Sequence, residues 1–350
     1  MASSAIGTLC TDLGASMSLS NEIAEEQTLE QLREALKRSQ QQYAKLKVKN
    51  DELVQAVYQA AKDASLGTPP VKVKPPTKDT RKGKAEVAVI HCTDWQLGKK
   101  SVSYGSETCG QRIDRFIDKA LHITEIQRKH HPVREAVLML GGDMVEGMGI
   151  FPGQAYEVDS HLYEQLFEVS RLIAKTVTTL ASNFETVRVV CEYGNHGRIG
   201  RYGEMPKGDN VDRISYEIAR NKVGHLVKDW QSSDAWYQIV KIGNYTALLV
   251  HGDEVRAFGG QTPAFGILRK VNAWAGGVIE DFNDCYMGHW HTPMSLTMSN
   301  GGRIFVTGSP ESHNEYAREF VAATGIPSQR LHFVDPDKGR VAAEYVVWLD

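Results

Sequence analysis

Five short segments of this chain bring together residue types that can share a metal chemistry. In order they are His91-Cys92-Thr93-Asp94-Trp95-Gln96-Leu97-Gly98, Gly141-Gly142-Asp143-Met144-Val145-Glu146-Gly147, Gly194-Asn195-His196-Gly197-Arg198, His251-Gly252-Asp253 and Gly288-His289-Trp290-His291. Each follows an apolar run of strand length, so each is expected where a β-strand ends. On a strand, His289 and His291 would face the same side and serve one metal or two adjacent ones. Asp94, Asp143, Asn195, His251, His289 and His291 form a mixed set of carboxylates, imidazoles and an amide oxygen. Such a set suits Mn²⁺, Fe²⁺ or Zn²⁺ better than a thiolate zinc site or an all-oxygen Ca²⁺ cage does. Six protein ligands exceed what one catalytic ion with an open position uses. Two ions sharing a bridging carboxylate fit better, held roughly 3.5–4 Å apart, where they clamp the attacking and leaving oxygens of a phosphoryl group.

The elements between these segments must position them. Strands are predicted at 86–93, 133–140 and 187–192, alternating with helices at 110–129, 161–182 and 211–228. Gly243-Asn244 joins 236–242 and 246–250 as a hairpin, a helix is expected at 261–275, and strands follow at 281–287, 294–298, 303–306, 331–334 and 340–348. Early βαβ units followed by hairpins imply a mixed α/β architecture with helices outside the sheets. This domain is expected to span 85–350.

Upstream the texture changes. Residues 1–20 are small, polar and Ser-rich, the composition of a disordered segment. Within 21–64, Leu29, Leu36, Tyr43, Asn50 and Val57 recur at every seventh position, with Leu32, Ser39, Leu46, Leu53 and Ala60 as a second seam. That heptad pattern predicts a helix that pairs with a second copy as a coiled coil, or else packs on its own domain. Residues 65–84 hold Pro69-Pro70 and Pro75-Pro76, which forbid a regular helix and predict an extended linker. Lys72, Lys74, Lys78, Arg81, Lys82 and Lys84 stand there against the single acid Asp79. That balance suits a solvated linker or a basic arm for phosphate backbones.

With a net charge of −3 and a pI near 6.5, the chain has no overall field that would attract a polyanion, so any nucleic-acid affinity must be local. The five cysteines (Cys10, Cys92, Cys109, Cys191 and Cys285) are odd in number and contain no CxxC, which points to free thiols in a reducing compartment. No run reads as a signal peptide or a membrane span, so a cytoplasmic location is expected, that of the host if the chain is phage-encoded.

Taken in order, the five motifs resemble the calcineurin-like metallophosphoesterases, whose pattern is DxH, GDxx, GNH(D/E), an isolated His, then GHxH. The likeness covers about residue 86 to the C-terminus. Within that family the chain looks most like stand-alone phage or bacterial members related to the nuclease subunit of double-strand-break repair complexes. The resemblance implies a four-layer αββα sandwich and two divalent metal ions, Mn²⁺ foremost, with Fe²⁺, Zn²⁺ or Mg²⁺ as alternatives. It implies that Asp94, Gln96 and His291 bind the first metal, that Asp143 bridges, and that Asn195, His251 and His289 bind the second. It also makes His196 the group that stabilises or protonates the leaving oxygen, and a hydroxide shared by the metals the nucleophile. The chain departs from the pattern at Gln96, where histidine is usual, and at Gly197, where an acid is usual. An amide oxygen is the weaker donor, so the first metal should be the more loosely held. Arg198 and Arg201 are candidate substrate phosphate contacts. The expected activity is hydrolysis of phosphate esters, by a phosphodiesterase or nuclease acting on DNA. A small-molecule (cyclic) nucleotide phosphodiesterase or phosphomonoesterase, or a non-catalytic scaffold, are the alternatives. Glu146 reads as a helix-start or loop acid, and His313, in the Gly308–His313 segment, as a residue of either the cleft or a loop.

Overall fold

The computed structural model describes residues 34, 37, 71–151, 153–200, 202–203, 205–256, 263–311 and 325–350. The chain divides into two compact units, Met1–Gln59 and Ala60–Asp350. In the first, only Glu34 and Lys37 are described, both helical and exposed, so the heptad seams lie outside the described residues.

A strand covered on both faces is buried at every position, and β1 (Glu86–Cys92) is buried throughout. It shares a six-stranded sheet with β2 (Val133–Gly141), β3 (Thr186–Glu192), β4 (Asp229–Ser232), β10 (Ser328–Asp335) and β11 (Arg340–Trp348). The strand order is β11-β10-β1-β2-β3-β4, with β1 to β4 parallel and β10 and β11 antiparallel. A second sheet contains β5 (Tyr237–Ile242), β6 (Tyr245–Val250), β7 (Asp284–Met287), β8 (Met294–Thr297) and β9 (Arg303–Val306), ordered β5-β6-β7-β9-β8. There β6, β7 and β9 run parallel, and β5 and β8 close the edges antiparallel.

The two-residue period of a strand divides its side chains between two layers. Val87 and Val89 of β1, Val137 and Met139 of β2 and Val190 of β3 meet Ala247 and Leu249 of β6, Tyr286 of β7 and Phe305 of β9 in one core between the sheets. The alternate residues of the second sheet, Leu248, Val250, Cys285, Met287, Ile304 and Val306, pack with Ile267 and Val271 of helix α4 (Ala264–Ala273). Helices α1 (Ser106–Arg128), α2 (Leu162–Asn183) and α3 (Val211–Val223) pack on the first sheet: α1 against β2, β10 and β11, α2 against β3, and α3 against β3 and β4. The layers are therefore helix, sheet, sheet, helix: the mixed α/β four-layer αββα sandwich expected from the sequence. Among the described residues no helix is long and apolar enough to cross a membrane.

The segment 71–84 forms neither helix nor strand and is hydrogen-bonded to the domain surface. The backbone N–H of Asp79 donates to Glu185 at 2.7 Å, Arg134 Nε donates to the Asp79 carbonyl at 2.8 Å, and Arg81 donates to the carbonyls of Arg128 and His131. Arg134 and Glu185 flank the starts of β2 and β3, the opposite strand ends from those that carry the motifs. Cys92, Cys109, Cys191 and Cys285 are buried free thiols.

Candidate metal centre

All five motifs lie where strands end: after β1, β2 and β3 in one sheet and after β6 and β7 in the other. In parallel sheets this carboxyl edge is where loops gather around ligands. Here two sheets contribute loops to one place, and each loop must turn sharply to aim its side chain inward. Among the described residues, the non-glycine positions with positive φ are Asp94 (52°), Gln96 (41°), Asp143 (51°), His289 (65°) and His291 (52°). All five are expected metal ligands. Left-handed backbone at a non-glycine residue costs of order 1–3 kcal/mol and persists only where the surroundings over-determine it. One expectation is corrected here: Gly288–His291 is not strand. β7 ends at Met287, and the two histidines converge through left-handed turns rather than through the period of a strand.

The glycines of the motifs make room for this. A Cβ on Gly194 would lie 2.1 Å from Asp143 Oδ1, and one on Gly288 2.2 Å from both Asp94 Oδ2 and Thr93 Oγ1. Gly142, at φ +88°, would place a Cβ 2.4 Å from the Gly194 nitrogen. The motif glycines are thus the walls against which the two aspartates rest.

Eight of the residues singled out in the sequence form one connected cluster. His251 Nε2 is 3.1 Å from Asp143 Oδ2 and 3.2 Å from Asn195 Oδ1. Ligand atoms of Asp143, His251 and His289 all lie within 4.8 Å of one another. His291 Nε2 is 3.4 Å from Asp94 Oδ1 and 3.2 Å from the Gln96 side-chain nitrogen. The backbone N–H of His289 donates to both Asp94 oxygens at 3.0 and 2.9 Å, and that of His196 to Asp143 Oδ1 at 2.6 Å. Arg198 lines a cleft next to Asn195. Arg201 and His313 lie outside the described residues.

The donor set fits divalent metal ions. Asp94, Asp143, Glu146, Asp212 and Glu311 bury five carboxyl groups, each no more than 4% exposed. Burying that much negative charge is costly without cations in place. Gln96 Oε1 is buried without a partner. Rotating the amide by half a turn exchanges it with the nitrogen that faces His291. On the far side of its ring, His251 Nδ1 donates to the Gly141 carbonyl at 2.8 Å, which leaves Nε2 free to coordinate.

Electrostatics without ions follow from the same contacts. Burial opposes charge on His291, but the Asp94 and Glu311 carboxylates, each 3.4 Å from a ring nitrogen, outweigh it and push its pKa up to about 10. Burial is likewise overcome at His251 by Asp143, raising it well above the usual imidazole value. His289, desolvated and beside the charge of His251, is held down to about 4. His196 is raised to about 9, because Asp143 and Glu146 outweigh its burial.

Three supporting residues, Asp212, Asn210 and Glu311, carry no motif signal in the sequence, and Glu146 gains a role here that its sequence position did not indicate. Asp212, in the first turn of α3, accepts the N–H groups of Asp143 (2.9 Å), Met144 (3.1 Å) and Gly194 (3.0 Å), tying the loops after β2 and β3 together. Asn210 caps that helix by accepting the Asp212 N–H at 2.8 Å. Burial and the charge of Asp143 push the Asp212 carboxyl up to about 6. Glu146 starts no helix. It is fully buried, with its carboxylate 3.4 Å from His196 Nδ1 and its carbonyl accepting that nitrogen's proton at 2.9 Å. Glu311 lies 3.4 Å from His291 Nδ1, in the segment where His313 had drawn attention.

No protein-family model and no curated protein matches the chain. Solved structures do resemble it. One is a zinc-complexed Vps29 from Entamoeba histolytica, at 13% identity over 75% of this chain and 99% of that one, with a TM-score of 0.33. Another is a dimetal phosphatase from Danio rerio, at 10% identity over 77% and 100%, with a TM-score of 0.35. A third is a 5′-nucleotidase from Candida albicans, at 10% identity over 79% and 54%, with a TM-score of 0.33.

Proposed function

We propose that this protein is a calcineurin-like metallophosphoesterase that hydrolyses phosphodiesters with two divalent metal ions, Mn²⁺ foremost, and that its substrate is DNA. The observation that carries the hydrolytic reading is the group of five left-handed candidate ligand residues that includes Asp143, with the His196–Glu146 pair beside it. Asp94, Gln96 and His291 would hold one ion, Asn195, His251 and His289 the other, and Asp143 both. Bound there, the ions supply charge to neutralise the phosphoryl oxygens and to activate water.

The chain's own residues supply the proton chemistry. The Nδ1–H of His196 is committed to the Glu146 carbonyl, and its Nε2 is 3.5 Å from the Gln96 side-chain nitrogen, on the cluster side. In the ion-free protein the Asp143 and Glu146 carboxylates raise its pKa to about 9, so that the ring carries both protons there at neutral pH. Its Nε2 proton is the one available to a departing alkoxide. Asp143 Oδ1 fixes the backbone of the same residue, so acid and bridging ligand are set in one register.

A nucleic-acid substrate is favoured by the surroundings. Beside Asn195 lies a cleft lined by Tyr193, Arg198, Tyr202, Met205 and Lys207, with the Arg198 guanidinium 5.7 Å from the Tyr202 ring centre. Partly exposed Phe151 stands edge-on to His196, ring centres 6.3 Å apart. Cations with exposed aromatics suit a phosphate backbone carrying stackable bases. A second reading, a phosphodiesterase of small nucleotides, is favoured by the cleft's volume of about 180 Å³, small for an extended ligand. Pairing of two copies through residues 21–64 belongs to the same proposal. The test is Mn²⁺-dependent hydrolysis of single-stranded DNA, duplex DNA, cyclic nucleotides and phosphomonoesters, with Asp143→Asn as control. Cleavage of DNA lost in the variant is expected. Turnover of cyclic nucleotides alone would move the assignment to the second reading, and wild-type rates in Asp143→Asn would end the metal-centre account.

A further inference from the structure

Two imidazoles of the cluster turn Nε2 toward the ligand oxygens, and each has a different partner behind it. His251 has a neutral one, the Gly141 carbonyl, at 2.8 Å from Nδ1. His291 has a carboxylate, Glu311 Oε2, at 3.4 Å from Nδ1. That carboxylate is 4% exposed and is held by Lys99 Nζ at 2.8 Å. Lys99 is fixed in turn, because its backbone N–H donates to the Gln96 carbonyl at 3.0 Å.

We infer that Glu311, anchored by Lys99, is a positioning residue for His291 and offsets the weak amide donor at position 96. The inference rests on the two-metal reading above. A carboxylate behind a ligating imidazole keeps the proton on the rear nitrogen, turns the other lone pair forward and raises its basicity; a carbonyl does the first two but adds less charge. In this chain the carboxylate backs the histidine that shares its ion with Gln96, while the carbonyl backs one whose ion has a second imidazole, His289. The stronger support thus stands behind the weaker ligand set.

The local wiring agrees. Ser309 Oγ donates to the Asp94 carbonyl at 2.7 Å and accepts the Glu311 N–H at 2.9 Å. Arg112 donates to the Pro310 carbonyl at 2.6 Å, fixing the same turn from α1. One short loop after β9 therefore holds both Asp94 and His291, the two stronger ligands of the first metal, and touches neither His251 nor Asn195 in this network. The lysine meets Glu311 at Oε1, leaving Oε2 as the oxygen that faces the imidazole.

Calorimetric titration of the full chain with Mn²⁺ tests this. Wild type is expected to take two ions, and Glu311→Gln to weaken one of them roughly 10–100-fold, the usual effect of losing such a partner, while sparing the other. Adding Gln96→His to Glu311→Gln should restore most of the lost affinity. Glu311→Gln leaves Lys99 unpaired, so the double variant Lys99→Met, Glu311→Gln is read alongside it and should show the same selective loss in a protein that still unfolds cooperatively. Unchanged affinity at both sites, equal weakening of both, or no recovery with Gln96→His would overturn the inference. A wild-type protein that takes up no Mn²⁺ would instead defeat the two-metal reading, and the inference with it.

Discussion

Two glycine substitutions separate the two metals. At Gly288 the φ angle is ordinary, so alanine brings no backbone strain, only a methyl 2.2 Å from Asp94 Oδ2 and Thr93 Oγ1. Normal contact lies more than about 1 Å further out, and the Asp94 carboxylate has to retreat by that much. Retreat breaks the hydrogen bonds it accepts from the His289 N–H (2.9 Å) and Thr93 Oγ1 (2.8 Å). Bonds to a charged acceptor contribute about 1.5–3 kcal/mol each, so losing two in Gly288→Ala should cost about 3–6 kcal/mol in the ion-free protein. It should also weaken the Asp94–Gln96–His291 ion while leaving the other in place. At Gly194 the methyl meets Asp143 Oδ1 at 2.1 Å, and with Asp143 proposed as the shared ligand, both ions should go. Urea unfolding of the ion-free proteins gives the first quantity, and metal content after exhaustive dialysis gives the second. If Gly288→Ala unfolds within about 0.5 kcal/mol of wild type, or if both variants lose ions in the same pattern, the assignment of carboxylates to metals is wrong.

Protons should compete with metal. His291 and His251 are raised above their ordinary value in the ion-free protein, the former to about 10, and only neutral imidazole coordinates. By sign, their protonated pairs stabilise the ion-free fold fully below the unfolded imidazole value of about 6.5, and that contribution fades as pH climbs toward 10. Apparent Mn²⁺ affinity should therefore rise from about pH 6 to 8, by up to roughly tenfold per pH unit for each proton displaced; calorimetry in buffers of differing ionisation enthalpy reads it, and a flat profile would contradict it. Glu146→Gln removes the charge that helps raise His196 to about 9. The alkaline limb of its pH–rate profile on a diester should move toward neutrality with a roughly tenfold fall in kcat, and a superimposable profile would remove His196 as the acid.

Much of the site was legible because strand ends are. Apolar runs predicted β1, β2, β3, β6 and β7, and the polar residues just beyond them had to meet once those strands lay parallel in two facing sheets. The left-handed turns were not legible. Nothing in the residue types Asp, Gln or His demands positive φ, and the close approach of the Asp143 and Asp94 carboxylates to Gly194 and Gly288 exists only in three dimensions. Asp212 was hidden because its partners are backbone N–H groups, which leave no side-chain signature. Glu146 is a loop acid, one of the two readings its position allowed, and its burial against His196 is the part that the sequence did not carry. Glu311 followed the same strand-end rule after β9, yet His313 nearby was the more conspicuous metal-type residue. β4 was missed because Lys228 and Asp229, at its start, continue the polar pattern of the preceding helix.

The central claim is a pair of ions bridged by Asp143, and anomalous scattering at the Mn edge from crystals grown with Mn²⁺ tests it most directly. Two peaks roughly 3.5–4 Å apart, with Asp143 between them and Gln96 and His291 on the side away from His251, are expected. A single peak, or two that share no carboxylate, would contradict the account.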